Sequence, residues 1–223
     1  MVNVVCIKQG HFYKSEYVNK LESMIRRNTN RDFRFVCFTE DRSGVDARIE
    51  CRPLPYWMKG WWCKIPLFAP PQCIENDQIV AIDLDVVITG NIDWLLDWRG
   101  DFCALATWQT VNNVDAPKYY NGSLWSLRPG YATHVWENFA QHGDEIMKTH
   151  YSDQEYLSEQ LPGAPTFNRL FPDKIKGFNT HYWNLEPKDR PANPESTPLW
   201  ICHGFPKPLE VYKKLDWVKE AWQ

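Results

Sequence analysis

The sequence predicts an α/β sandwich built on a mainly parallel sheet. Three observations point there. Apolar, β-rich runs recur through the first half of the chain, segments with helical spacing separate them, and the clearest run ends abruptly in paired acids. The length of 223 residues suits one substantial domain. A content of 43% hydrophobic and 24% charged residues excludes a disordered or fibrous chain. The 25 basic and 28 acidic residues leave a formal charge of -3, so no cationic surface for nucleic acid is implied. No apolar run approaches the roughly 20 residues that cross a bilayer. The opening residues 1–8 are too short for a signal peptide and lack its basic lead. A cytoplasmic protein without a transmembrane segment is expected.

Residues 4–7 read as a short buried strand. A helix follows through about residue 28, because Tyr17, Leu21, Met24 and Ile25 fall at helical spacing. Residues 33–38 are a second β-rich run ending in Thr39-Glu40-Asp41, and a weaker strand covers about 47–51. Pro53 and Pro55 break the pattern before an aromatic, helix-like stretch at Gly60–Phe68. Residues 78–82 form an apolar strand that runs straight into Asp83-Leu84-Asp85. Further strands are expected at 101–107 and 119–127, and helices at 131–147 and 152–160. The last third is rich in Pro, Asn and Trp and reads as loop until a final helix from about residue 209.

Seven cysteines (Cys6, Cys37, Cys51, Cys63, Cys73, Cys103 and Cys202) make an odd number, with no short pair of the zinc or redox type. Several fall in apolar runs, where a thiol behaves as a small hydrophobe, so they are read as reduced and buried. The Asn-Gly-Ser sequon at Asn121 matters only in a secreted protein. His11, His134, His142, His150 and His181 show no metal-ligand spacing. The 12 Trp, 10 Tyr and 11 Phe exceed what a core of this size needs and suit a site that stacks flat ligands such as sugars or bases. Trp57, Trp61, Trp62, Trp108, Trp125 and Trp183 are the candidates, with two or three expected to touch a ligand and the rest to pack inside.

In parallel α/β sheets, ligands bind beyond the carboxyl ends of the strands. Lys8-Gln9-Gly10, Thr39-Glu40-Asp41 and Asp83-Leu84-Asp85 all occupy such ends. The last triplet is the most informative. Two carboxylates one residue apart repel unless a cation lies beside them, and oxygen ligands suit Mg²⁺ or Mn²⁺. Such a cation also grips a diphosphate and stabilises the charge that develops as it leaves. A solvated acidic turn is the bland alternative. The strand before the triplet and the apolar VVITGNIDWLL after it favour metal binding.

AIDLDVVITGNIDWLL resembles the Asp-x-Asp segment of glycosyltransferases of the GT-A fold. The resemblance is to the retaining group that contains glycogenin and the bacterial lipopolysaccharide galactosyl- and glucosyltransferases, glycosyltransferase family eight. VVCIKQGHFYKSEYVNKLESMIRRN, YYNGSLWSL, SDQEYL and ICHGFPKPL are similar to further segments of that family, in the same order. The resemblance implies a single GT-A-like α/β/α domain. Residues from about 1 to 110 would form its nucleotide-binding half, about 111 to 208 its acceptor and sugar half, and 209 to 223 a C-terminal helix. It implies Mn²⁺ (or Mg²⁺) on Asp83 and Asp85, with Asp85 the favoured direct ligand and His203 the third. It implies donor binding by Lys8, Tyr13, Thr39, Lys64, Asp83, Leu84, Asn121, Gly122, Gly204 and Lys207, and Asp153 and Gln154 at the reacting sugar. The closing motif departs from the family, being compressed to His-Gly-Phe-Pro-Lys-Pro with Leu209 where the family has Trp. Asp153 also reads as a first-turn helix acid behind Ser152.

The expected activity is therefore metal-dependent transfer from a nucleotide-diphosphate sugar, UDP-linked for preference, to a hydroxyl of a glycan, lipid-linked or protein acceptor. Two alternatives stand beside it. IVAIDLDVV fits the Asp-x-Asp-x-Val pattern of haloacid-dehalogenase-like phosphatases, although 82 residues precede it here and no later acidic pair follows the family pattern. A non-catalytic carbohydrate-binding domain would also explain the aromatic residues. In the tail, Val211, Leu215, Val218 and Trp222 recur at helical spacing among Lys213, Lys214 and Lys219. A helix docked on the domain is expected there rather than a membrane-surface anchor.

Overall fold

A computed structural model describes residues 1–54, 58, 60–69, 77–107 and 120–223. In chain order the strands are β1 (Val2–Lys8), β2 (Phe33–Thr39), β3 (Glu50–Arg52), β4 (Ile79–Ile82), β5 (Val86–Ile88), β6 (Phe102–Ala106), β7 (Tyr120–Leu127), β8 (Ile175–Gly177) and β9 (Leu199–Ile201). The α-helices are α1 (Ser15–Arg27), α2 (Asp93–Leu96), α3 (Thr133–Thr149), α4 (Asp153–Gln160), α5 (Phe167–Leu170), α6 (Pro208–Val211) and α7 (Asp216–Ala221). Gly60–Phe68 is a 3₁₀ helix and Asn179–Trp183 a single π turn.

Six strands form the central sheet in the order β3-β2-β1-β4-β7-β6. The first four are parallel; β7 runs antiparallel to β4, and β6 antiparallel to β7. The expected mainly parallel α/β sheet is thus present. Both faces are covered, which is why β1 and β4 read as unbroken apolar runs. Val4 and Cys6 of β1 pack with Tyr17, Leu21 and Ile25 of α1 on one face. Val5, on the other, packs with Trp62 and Phe68 of the 3₁₀ helix, Phe139 of α3 and Tyr156 of α4. All six described cysteines are free, and only Cys51 is not buried. Cys73, Trp57 and Trp108 lie outside the described residues.

The last third corrects the expectation of a long loop. It carries α5, β8, the π turn and β9, and β5, β9 and β8 form a second sheet in the order β5-β9-β8. β5 and β9 are antiparallel, with Val86 opposite Ile201 and Ile88 opposite Leu199. Three-residue strands are too short for a period-2 pattern to register. The C-terminal helix is also corrected: residues 209–223 are not one helix but the end of α6, a turn, and α7. Leu215 stands just before α7 in an extended conformation and interrupts the helix.

The tail is docked, as expected. Val211, Val218 and Trp222 are buried, Trp222 packs edge-on against Tyr17, and Lys20 lies 3.9 Å above its ring. Among the described residues no helix is long and apolar enough to cross a membrane. Trp222→Ala should cost about 3–5 kcal/mol, the usual loss for emptying a buried aromatic site. Chain cut after Pro208 should melt lower still without acquiring or losing affinity for anionic vesicles. Urea unfolding and vesicle co-sedimentation check the two statements.

Candidate functional site

Asp83, Leu84 and Asp85 form the turn that leaves β4 and enters β5, at the carboxyl end of the parallel strands. Leu84 is buried in the core, so only its main chain is available to a ligand. That narrows its expected donor-binding role. The two acids face different partners. Asp83 pairs with Lys64 at 2.6 Å, and its backbone N–H donates to Ser123 O at 2.9 Å. Asp85 pairs with Lys207 and accepts a 3.0 Å hydrogen bond from the Tyr13 hydroxyl.

The small sheet explains how the far end of the chain reaches this turn. Beyond Val86 opposite Ile201, the ladder continues with Cys202 N–H donating to Asp85 O at 2.8 Å. The loop after Cys202 therefore begins beside Asp85. His203 follows at once, close enough that the Asp85 charge acts on its ring, and Lys207 folds back to Asp85 and to Cys202 O at 3.2 Å. Gly204 takes a positive φ of 71°, which needs glycine, and an added Cβ there would lie 3.1 Å from Asn179 Nδ2. That amide donates to His203 O and holds the loop. Asn179 escaped the sequence reading: it lies in a loop-like stretch, and no local pattern marks it.

Lys64 is the hub of the second cluster. It lies on the 3₁₀ helix, donates to Gly122 O at 2.6 Å and pairs with Asp83. A bulge presents that carbonyl. Ala104 of β6 stands opposite Trp125 and Leu105 opposite Asn121, so Gly122, Ser123 and Leu124 bow out of the β6 ladder. Asn121 is buried and its Oδ1 accepts the Ser123 N–H at 2.8 Å, so it braces the bulge. A Cβ added at Gly122 would meet Gln154 Cγ at 3.3 Å, and Asp153 Oδ2 and Lys64 Nζ at 3.4 Å. Glycine here lets four expected site residues share one small space.

Asp153 opens α4 behind Ser152, as a first-turn acid would, yet it is fully buried and no side chain hydrogen-bonds its carboxylate, which faces only its own N–H and that of Gln154. Burial raises its pKa from 3.8 to about 7, against the opposing pull of Lys64. Burial also raises Asp83, opposed by Lys64 and reinforced by Asp85. For Lys64 burial works against the charge, but Asp83 and Asp153 outweigh it and its pKa is raised. Burial, then the Asp85 charge, pushes the Tyr13 phenol upward, so Tyr13 stays a donor.

Lys8 and Thr39 lie apart from these two clusters. Lys8 is buried and donates to Asp41 O at 3.4 Å, while the Thr39 hydroxyl bonds within its own turn, donating to Asp41 O at 3.0 Å. Glu40 accepts the Gly10 N–H and so joins the ends of β1 and β2. Of the other histidines, His150 pairs with Glu159 at 3.0 Å and His181 is tied to Gly177.

Among the described residues, no three His, Cys, Asp or Glu side chains converge at metal-ligand distance. Lys64 and Lys207 hold the two carboxylates instead. The donor chemistry nevertheless suits Mn²⁺ or Mg²⁺: two carboxylates on one turn and an imidazole whose pKa burial lowers, leaving it neutral and able to ligate.

No protein-family model matches the chain, and no curated protein matches it. Solved structures do. The galactosyltransferase LgtC, in complex with donor and acceptor sugar analogues, aligns over 92% of this chain and 88% of its own, with a TM-score of 0.64 and 13% identity. The glycosyltransferase GlyE of Streptococcus pneumoniae TIGR4 aligns over 99% of this chain and 63% of its own, with a TM-score of 0.66 and 14% identity. The bifunctional glycosyltransferase WbbM aligns over 93% of this chain and 46% of its own, with a TM-score of 0.61 and 15% identity. The chain has the GT-A fold of these glycosyltransferases, and its shape resembles that of the family-eight group.

Two outcomes follow from the buried charges. Lys207→Met should destabilise the protein by about 3–5 kcal/mol, because Asp85 is left buried without its cation; chemical denaturation reads this. Asp153 sets a pH trend. Its folded pKa lies above its ordinary value, so its stabilising share is complete below 3.8 and is lost as pH rises through about 7. The slope is at most about 1.4 kcal/mol per pH unit. Asp153→Asn should remove that slope, being more stable than wild type at pH 8 and matching it near pH 4, in paired unfolding curves.

Proposed function

We propose that this protein is a glycosyltransferase that moves a sugar from a nucleotide-diphosphate donor, UDP-linked, to a hydroxyl acceptor. One observation carries the reading: four segments remote in sequence bring Tyr13, Lys64, Asp153 and Lys207 onto the turn Asp83-Leu84-Asp85, at the ligand-binding end of a GT-A sheet. Asp83, Asp85 and His203 would hold Mn²⁺ or Mg²⁺. When bound, such a cation supplies Lewis-acid stabilisation of diphosphate oxygens.

The chain's own groups account for the rest. Lys207 and Lys64 are preorganised ammonium groups that meet the negative charge appearing as the bond from the anomeric carbon to the diphosphate breaks. Both are long side chains that can exchange a carboxylate for a phosphate oxygen. Asp153 and Gln154 border the reacting sugar, where a carboxyl and an amide accept from and donate to ring hydroxyls. Asn121 and Gly122 shape that pocket through the bulge. Tyr13, Lys8 and the Thr39 turn border the nucleoside. We carry the retained anomeric configuration over from the family resemblance.

The GT-A fold argues against a dehalogenase-like phosphatase. A non-catalytic sugar-binding role differs from the transferase in one measurable respect, metal-dependent cleavage of a nucleotide sugar. Wild-type protein should be stabilised by UDP with Mn²⁺, by roughly 2.7 kcal/mol at a hundredfold excess over Kd, and should hydrolyse or transfer one of a panel of UDP-sugars. Asp85→Ala should be less stable than wild type, since it leaves Lys207 buried without its carboxylate, yet still fold and lose both properties. Thermal shift and product release decide it: stabilisation by UDP and Mn²⁺ that survives in Asp85→Ala sinks the assignment. Lys64→Ala should lower kcat by at least about a hundredfold, the scale of removing one charge-stabilising donor.

A further inference from the structure

Of the described tryptophans proposed to touch a ligand, Trp62 and Trp125 are buried and Trp183 is stacked on Phe178. Trp61 differs. Half of it is exposed, and it lies 6.2 Å from the ring of Tyr151, tilted by 31°; Tyr151 is itself 85% exposed. Two neighbouring aromatic rings left this open to water carry a cost in apolar hydration.

Their anchors tie them to the site. Trp61 and Lys64 are three residues apart on the 3₁₀ helix, where side chains at i and i+3 eclipse and share a face. The neighbouring Trp62 turns inward, stacked on Phe139 at 5.4 Å. The start of that helix is fixed at the carboxyl end of the sheet by Gln9, just beyond β1, which accepts the Gly60 N–H and donates to Met58 O. Tyr151 is two residues before Asp153, and its backbone N–H donates to Glu155 Oε2 at 2.7 Å, which fixes the entry to α4. The two rings therefore extend from the 3₁₀ helix that carries Lys64 and from the residues just before α4, which carries Asp153.

We propose that Trp61 and Tyr151 form the acceptor surface, taking a β-linked hexopyranose by its C–H face. This rests on the transferase reading of the neighbouring site. A pyranose with equatorial hydroxyls carries its ring C–H bonds on its faces, and these pack on aromatic rings while the hydroxyls at its rim stay free. Its rim hydroxyls are then free to turn toward the Lys64 cluster, where the transferase reading puts the donor sugar.

The test is NMR of the ¹⁵N-labelled full chain, with the Trp61 indole resonance assigned by its loss in Trp61→Phe. Methyl β-D-glucopyranoside or methyl β-D-galactopyranoside at millimolar concentrations should shift that resonance saturably, and glycerol should not. Tyr151→Ala, at an exposed position, should keep the fold and weaken the binding about tenfold. No shift with either glycoside, or an unchanged Kd in Tyr151→Ala, overturns the proposal. So does a Trp61 shift driven equally by UDP with Mn²⁺, which would assign the ring to the donor. Failure of UDP and Mn²⁺ to bind at all, with the glycosides still shifting Trp61, would remove the transferase reading and with it the acceptor role.

Discussion

Asp85 is almost completely buried, and the surrounding architecture is arranged to make that tolerable. Taking a carboxylate out of water is expensive unless a cation and hydrogen bonds replace the lost solvation. Here the Lys207 ammonium, the Tyr13 hydroxyl and the adjoining β5–β9 ladder surround it. Tyr13 comes from the loop after β1 and Lys207 from the loop after β9, while Asp85 itself sits on the turn after β4. This one buried charge binds the first, middle and last segments together. Lys207 also donates to Cys202 O, so the closing loop is pinned at both ends of its bend.

The Lys64 cluster obeys a different rule. Lys64 faces both Asp83 and Asp153, and Asp153 is left with a buried carboxyl that no side chain hydrogen-bonds. Unpaired buried polar groups cost stability, and a protein keeps them where a ligand completes them. The cost is confined to a small space framed by a β-bulge and a glycine, beside the turn where Asp83 meets its lysine. One cluster is thus structurally complete and the other is chemically incomplete, two residues apart on the same turn.

Most aromatic residues pack the interior, and two exposed pairs, Phe12 with Phe205 and Trp61 with Tyr151, do not. Trp125, Trp200 and Trp222 are among the largest fully buried side chains, and most of the aromatic surplus is spent on packing the two faces of the sheet and the small second sheet. Trp61 and Tyr151 leave this pattern: one lies on the 3₁₀ helix that carries Lys64, the other two residues before Asp153.

The sequence by itself determined the central sheet, because its strands are buried on both faces and their apolar runs end in polar triplets at the ligand-binding end. The same local signals placed α1, the 3₁₀ helix, α3 and α4, and singled out Asp83 and Asp85. Through family resemblance it also named Lys64, Asp153, His203 and Lys207. Only the tertiary structure decided how these residues meet. β8 and β9 are three residues long and carry no periodicity, so the second sheet that brings the closing loop to Asp85 was illegible. The break before α7 and the anchoring role of Asn179 depend on contacts between distant segments, as does the inward turn of Leu84. A local pattern records which face of an element is apolar; it does not record which remote segment will cover that face or neutralise a charge beside it.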